Sequence, residues 1–307
     1  MRVLGSIYIC MAEKNKRSCR LISVVNQKGG VGKSTTSINI AAYLAKKGYS
    51  TLLVDLDPQG NSTSGLGVYP ENIKKSLYDA IINHMAPEEI VFNTEYEGLD
   101  LLPSSEKLSG AEVELVSALK REYKLKKILD KLREYYDYIL VDCSPALGLL
   151  TINALTATTE VLIPLQCEYY ALEGIARLLK TTELVRHNLN KDLEISGVVL
   201  TMYNRTRLSG QAVKEIKKYF PGKVFKTIIP RNVRLAEAPS YGKPIFSYAP
   251  GCAGAKAYET LTDELIRRHH RGQKEIDREI GSLAKKMKKF WDSGAPPRHA
   301  ASKNGEN

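Results

Sequence analysis

LISVVNQKGGVGKSTTSINIAAYLAKKG, residues 21–48, decides the fold. Leu21 to Val25 is a short run of apolar and β-branched residues with almost no polar alternation, which reads as a strand covered on both faces. Gly29, Gly30 and Gly32 follow at once, and from Lys33 to Lys47 the pattern becomes that of a helix, with Gly48 placed to cap its end. Consecutive glycines let a backbone wrap closely around phosphate oxygens and point N–H groups at them, while the helix that follows offers its positive end. Lys33 adds a point charge at the β and γ phosphates, and the Ser34 hydroxyl is placed to ligate Mg²⁺. The expected ligands are therefore ATP and Mg²⁺, held by Lys28, Gly29, Gly30, Val31, Gly32, Lys33, Ser34 and Thr35. The general pattern G-x-x-x-x-G-K-[ST] is not strictly met. Position 27 is Gln27 instead of glycine, and Lys28 puts a second cation at the loop entrance.

Working outward, two further strand-like runs end in carboxylates. LLVDLDPQGN (52–61) carries Asp55 at its strand end and Asp57 two residues on, and YILVDCSP (138–145) carries Asp142 after apolar residues. Acids just beyond the carboxyl ends of parallel strands lie where open α/β sheets bind ligands. Asp142 resembles a Walker B aspartate that supports Mg²⁺ through water. Cys143 reads as a small buried residue, because the chemistry needs no thiol and no histidine lies near it in sequence.

The alternation continues along the chain. Strands are expected at Leu21 to Asn26, Thr51 to Asp55, Leu99 to Leu102, Tyr138 to Asp142, Val161 to Pro164, Ile195 to Thr201 and Val224 to Ile229. Helices are expected at Lys33 to Lys47, Ala111 to Tyr135, Tyr170 to His187, Ser209 to Tyr219 and Ala255 to Arg268. This is the signature of βαβ units. The expected class is α/β: a P-loop NTPase fold in a single domain over 21–268, with a mostly parallel twisted sheet and helices on both faces. Residues 1–20 read as an N-terminal extension and 269–307 as a basic tail.

Of 307 residues, 43% are hydrophobic and 26% charged, ordinary values for a globular chain. The net charge of +11 favours a polyanionic partner. Much of the excess lies in the tail, where Ile276, Ile280, Leu283, Met287, Phe290 and Trp291 recur at helical spacing among Lys285, Lys286, Lys288 and Lys289. A basic amphipathic helix over 276–291 can pack on protein, lie on a membrane or touch nucleic acid. The five scattered cysteines have neither metal-ligand spacing nor a C-x-x-C motif, which fits a reducing cytosol. No run approaches the ~18 apolar residues of a membrane span.

KGGVGKS with its extra lysine resembles the deviant phosphate loop of the ParA/MinD family of ATPases. That resemblance implies that Lys28 reaches across a homodimer interface to the partner's phosphates, and that Asp57 orients the attacking water. GVVLTMYNRTRLS (197–209) and IPRNVRLAEAPSYGKPI (229–245) are similar to the chromosome-partitioning branch, the ParA or Soj proteins. By that resemblance Pro230 and Asn232 hold adenine, and Arg205 and Arg234 bind double-stranded DNA without sequence preference. Arg207, Arg231 and Lys243 lie in the same loops. The family pattern has one more residue before the Arg-Thr pair and an aspartate where Asn204 stands, so Arg205 and Arg207 both stay open as the DNA contact. Ser144 stands where the family often has a proline, which bears on the shape of that loop.

The resemblance thus implies slow ATP hydrolysis with Lys28, Lys33, Asp57 and Asp142 as catalytic groups, and Ser34, Asp55 and Asp142 around the metal. It also implies an ATP-dependent homodimer on nucleoid DNA in the cytoplasm, and stimulation by a ParB-type centromere-binding protein. The alternative is a MinD-like positioning ATPase that cycles on a membrane through 276–291.

Overall fold

The structure is a computed structural model, and it describes residues 19–168 and 175–268. Eight strands form one sheet: β1 Arg20–Val24, β2 Thr51–Leu56, β3 Phe92–Asn93, β4 Leu99–Leu102, β5 Tyr138–Cys143, β6 Glu160–Gln166, β7 Glu194–Tyr203 and β8 Val224–Pro230. Their spatial order is β3-β4-β2-β5-β1-β6-β7-β8. Every pairing is parallel except the short β3 with β4. The helices are α1 Lys33–Lys46, α2 Asn61–Ser64, α3 Leu77–Ile81, α4 Leu108–Glu114, α5 Lys124–Leu132, α6 Leu149–Ala157, α7 Ile175–Asn188, α8 Arg207–Tyr219, α9 Val233–Glu237, α10 Ile245–Tyr248 and α11 Ala253–Arg268.

The apolar runs behave as their lack of alternation predicts. Every residue of β1, β2 and β5 is buried, so these three adjacent strands form the middle of the sheet. Ile22, Val24, Leu53 and Leu140 from the sheet pack with Ile40 and Leu44 of α1 and with Tyr258, Leu261 and Leu265 of α11. Two tyrosine hydroxyls satisfy themselves inside this core, Tyr43 on the Ala255 carbonyl at 2.8 Å and Tyr258 with Thr36 Oγ1 at 3.0 Å. The carboxyl ends of β1, β2 and β5, with Asn26, Asp55 and Asp142, lie along one edge because the three strands run parallel.

Several boundaries shift by one or two residues, and two departures from the sequence reading have a structural cause. The strand expected from Leu21 begins at Arg20, which is buried and paired. The single helix expected from Ala111 to Tyr135 is two: α4 ends in a tight turn at Leu115–Ser117, Ala118 is extended, and Lys120 adopts a left-handed φ of 53° before α5 starts. Tertiary contacts take over the backbone groups that an unbroken helix would satisfy. Asn153 of α6 accepts from the Leu125 N–H at 3.1 Å and donates to the Arg121 carbonyl at 2.9 Å. The antiparallel β3 had no sequence signal, being two exposed residues on the edge. The start of the helix expected from Tyr170, most of the N-terminal extension, and the tail helix 276–291 lie outside the described residues.

Candidate functional site

The loop between β1 and α1 takes the shape that its glycines permit. Gly30 and Gly32 have φ of 71° and 88°, a region that L side chains avoid, and a Cβ on Gly29 or Gly30 would meet no atom within 4 Å. Gly32 occupies the cap position of α1 with no side chain to accept the first N–H groups, so the helix presents bare donors toward the loop. At the same end Lys33 is only 6% exposed, and its ammonium donates to the Lys28 carbonyl over 3.3 Å. Burial lowers its pKa, against the pull of Asp142 and Asp57. A buried cation beside uncapped helix donors and an open glycine cradle is a fit for an anion.

The carboxylates sit below it. Asp142 is fully buried at the end of β5, where Ser37 of α1 donates to Oδ1 at 3.0 Å and Ser62 of α2 donates to Oδ2 at 2.7 Å. Burial raises its pKa, while the hydroxyls of Ser34, Ser62 and Ser37 and the Lys33 charge oppose that shift. Asp55, level with Asp142 on the neighbouring strand, is raised by burial and by the Asp142 charge. Its Oδ2 accepts from both the N–H and the hydroxyl of Thr63, each at 2.7 Å. Asp57 accepts from the Gln59 N–H at 3.0 Å, and its carbonyl accepts from Ser104 at 2.6 Å. Two carboxylates ringed by hydroxyls, with the Ser34 side chain among them, form an oxygen-rich donor set suited to a hard cation such as Mg²⁺. Cys143, fully buried with its thiol pKa raised by desolvation, is inert, in keeping with its sequence reading.

The loop entrance is tied to the end of β6. Asn26 donates to the Pro164 carbonyl at 2.7 Å and accepts from the Lys28 N–H at 3.0 Å. The Lys28 side chain points outward to Glu168 at 3.0 Å, both about half exposed. Thr201 of β7 donates to the Val31 carbonyl at 2.8 Å, so three strands brace the glycines.

Further along the sheet, the loops after β7 and β8 meet. Tyr203 pairs with Pro230, and the Arg231 N–H donates to the Tyr203 carbonyl at 3.0 Å. Arg205 and Arg207 follow β7, and Arg231 and Arg234 follow β8; all four are exposed, as is Lys243. Thr206 caps α8 by accepting from the Ser209 N–H, and the Asn232 side-chain oxygen caps α9 by accepting from the Arg234 N–H at 2.9 Å. Arg234 is paired to Glu237 at 2.9 Å, and the same carboxylate oxygen accepts from the Tyr248 hydroxyl. The structure therefore joins the sequence-predicted residues into two groups: the phosphate loop with its acids, and a basic rim spanning two loops.

Ser37, Ser62, Thr63 and Thr201, which line or brace the site, had not been singled out from sequence. The hydroxyl-rich NSTS after Asp57 was a usable signal for Ser62 and Thr63; Ser37 and Thr201 carry none.

A family model described as an AAA domain matches residues 19–195. The chain is 53% identical over 247 residues to the sporulation initiation inhibitor protein Soj of Bacillus subtilis, covering 80% of this chain and 98% of that one. It is 50% identical over 250 residues to the chromosome partitioning protein ParA of Myxococcus xanthus, covering 81% and 88%. Among solved structures, cobyrinic acid a,c-diamide synthase from Mycobacterium smegmatis with bound ATP analog and magnesium superposes with a TM-score of 0.73 at 36% identity, covering 83% and 97%.

Proposed function

Because this chain belongs to the ParA/Soj family of partitioning P-loop ATPases, we propose that ATP joins two copies face to face, that the pair binds DNA non-specifically, and that hydrolysis releases it. The observation that carries the reading is the opposite disposition of two lysines five residues apart. Lys33 is buried against the helix terminus, and Lys28 is exposed at the loop entrance. An inward lysine serves its own nucleotide, whereas an outward one can reach phosphate charge on a second subunit.

Gly29 to Thr35 would cradle the phosphates of ATP, Pro230 and Asn232 would flank the base, and Ser34, Asp55 and Asp142 would hold Mg²⁺ directly or through water. Bound there, Mg²⁺ supplies charge neutralisation on the phosphate oxygens. Asp57, buried yet next to the exposed Gln59, would orient the water that attacks the γ phosphorus. Arg234 with Arg205 or Arg207 supplies forks suited to DNA phosphates, which fits the net charge of +11. A ParB-type protein would stimulate turnover. The place of action is then the cytoplasm, on the nucleoid; no helix among the described residues is long and apolar enough to cross a membrane.

Sedimentation of the Lys28→Ala and Lys33→Ala proteins with ATP tests this. Lys33→Ala should lose nucleotide binding. Lys28→Ala should keep it but stay monomeric, and dimerisation as in the unaltered protein would reject the face-to-face arrangement.

A further inference from the structure

Glu168 is engaged through both carboxylate oxygens. Oε2 accepts from Lys28 Nζ at 3.0 Å, and Oε1 accepts from Gln166 Nε2 at 2.5 Å. Its N–H donates to the Gln166 carbonyl at 2.8 Å, which folds the chain sharply at the end of β6 and aims the carboxylate at the loop entrance. On the other side, Lys28 is fixed at its backbone. Its N–H is held by Asn26, itself anchored on Pro164 of the same strand, and its carbonyl accepts from Lys33. Both ends of the pair are therefore set by β6, although 140 residues separate them in sequence.

A lysine cannot donate its charge to this carboxylate and to phosphates in a second subunit at full strength in both places. We propose that Glu168 is a positioning residue for Lys28: a counter-ion that holds the ammonium on its own subunit until an ATP-loaded partner presents a stronger anion. The inference rests on the reading of Lys28 as acting across the dimer.

Its size follows from the setting. Exposed ion pairs are weak, which suits a contact that must break in every cycle. Each dimer breaks two of them, one per subunit, so the effect on the dimerisation constant is that of a single pair squared. For pairs of ordinary strength this comes to about 2- to 30-fold. Glutamine at 168 preserves size and the hydrogen bond to Gln166 while removing the charge that retains Lys28.

The test uses the full-length chain with a non-hydrolysable ATP analogue, so that turnover does not enter. Sedimentation should show Glu168→Gln dimerising at about 2- to 30-fold lower protein concentration than the unaltered protein. Affinity for the nucleotide should stay unchanged in the monomer, and Glu168→Asp should fall near the unaltered value. As a second measurement, the nucleotide-free proteins are treated with an acylating reagent and the rate at each lysine is read by mass spectrometry. Lys28 should react faster in Glu168→Gln, with other exposed lysines such as Lys75 unchanged. Equal or weaker dimerisation of Glu168→Gln, or an unaltered Lys28 rate, overturns the proposal. Lys28→Ala, run beside it, separates the two levels. A monomeric Lys28→Ala with an unchanged Glu168→Gln rejects the counter-ion alone, and a Lys28→Ala that dimerises normally rejects the underlying reading as well.

Discussion

Arg20 and Glu160 meet in two parallel hydrogen bonds, Nε to Oε1 and Nη2 to Oε2, each 2.7 Å long, at the first residues of the neighbouring strands β1 and β6. The third arm of the guanidinium donates to the Leu265 carbonyl of α11 at 3.0 Å, and both side chains are about nine-tenths buried. Removing one partner leaves the other charge buried without compensation. Arg20→Ala or Glu160→Ala should therefore lose about 3–5 kcal/mol of stability in urea unfolding, and the pair Arg20→Met with Glu160→Leu should lose much less.

Ser62 donates one of the short hydrogen bonds that oppose the burial-driven rise in the Asp142 pKa. Ser62→Ala should cost about 1–3 kcal/mol in thermal unfolding. It should also weaken Mg²⁺-dependent nucleotide binding in a titration, while Mg²⁺-free binding changes less.

Asp57→Ala should bind ATP and form the dimer yet fail to hydrolyse, so that the dimer accumulates. Phosphate release and sedimentation on the same sample check this, and normal turnover would remove Asp57 from its assigned role.

Arg234 is already half engaged by Glu237, whereas Arg205 and Arg207 stand exposed one loop away. Charge reversal of Arg205 with Arg234 should abolish ATP-dependent DNA retention with nucleotide affinity intact. Arg207→Glu alone decides which of the two neighbours matters. For the unaltered protein, DNA affinity should fall steeply between about 50 and 200 mM salt, as phosphate neutralisation requires.

Glu264 of α11 fixes β8 by accepting from the N–H groups of Lys226 and Thr227 and from the Thr227 hydroxyl, and it also accepts from Arg268 of its own helix. Burial works to raise its pKa, but these donors outweigh burial and hold it below the usual 4.5. The unfolded chain then takes up the proton first as pH falls. The stability contributed by Glu264 is complete above about pH 4.5 and is lost as pH drops through the folded value. Glu264→Gln should flatten the acid limb of a stability–pH curve and leave its shape near neutrality unchanged.

Some of the site was legible early because its signals are local. Gly30 and Gly32 announce positive φ by being glycines, and Asp55, Asp57 and Asp142 announce strand ends by following apolar runs. Other features were not. Helical spacing from Ala111 to Tyr135 gave no warning that Asn153, from a later helix, would stabilise a break near Lys120. Arg20 read as the end of an extension, since nothing beside it in sequence reveals a carboxylate at position 160.

Sequence alone therefore determined the strand, glycine loop and helix, the inward lysine at 33, the order of acids and the arginine-bearing loops, because periodicity and backbone freedom act over a few residues. The tertiary structure decided what surrounds them. Ser37 and Ser62 converge on Asp142 from 105 and 80 residues away, and Glu168 faces Lys28 from 140. Such pairs depend on which strands lie side by side, and the order β2-β5-β1-β6 is set by burying apolar faces across the whole sheet, a global condition that no local stretch encodes.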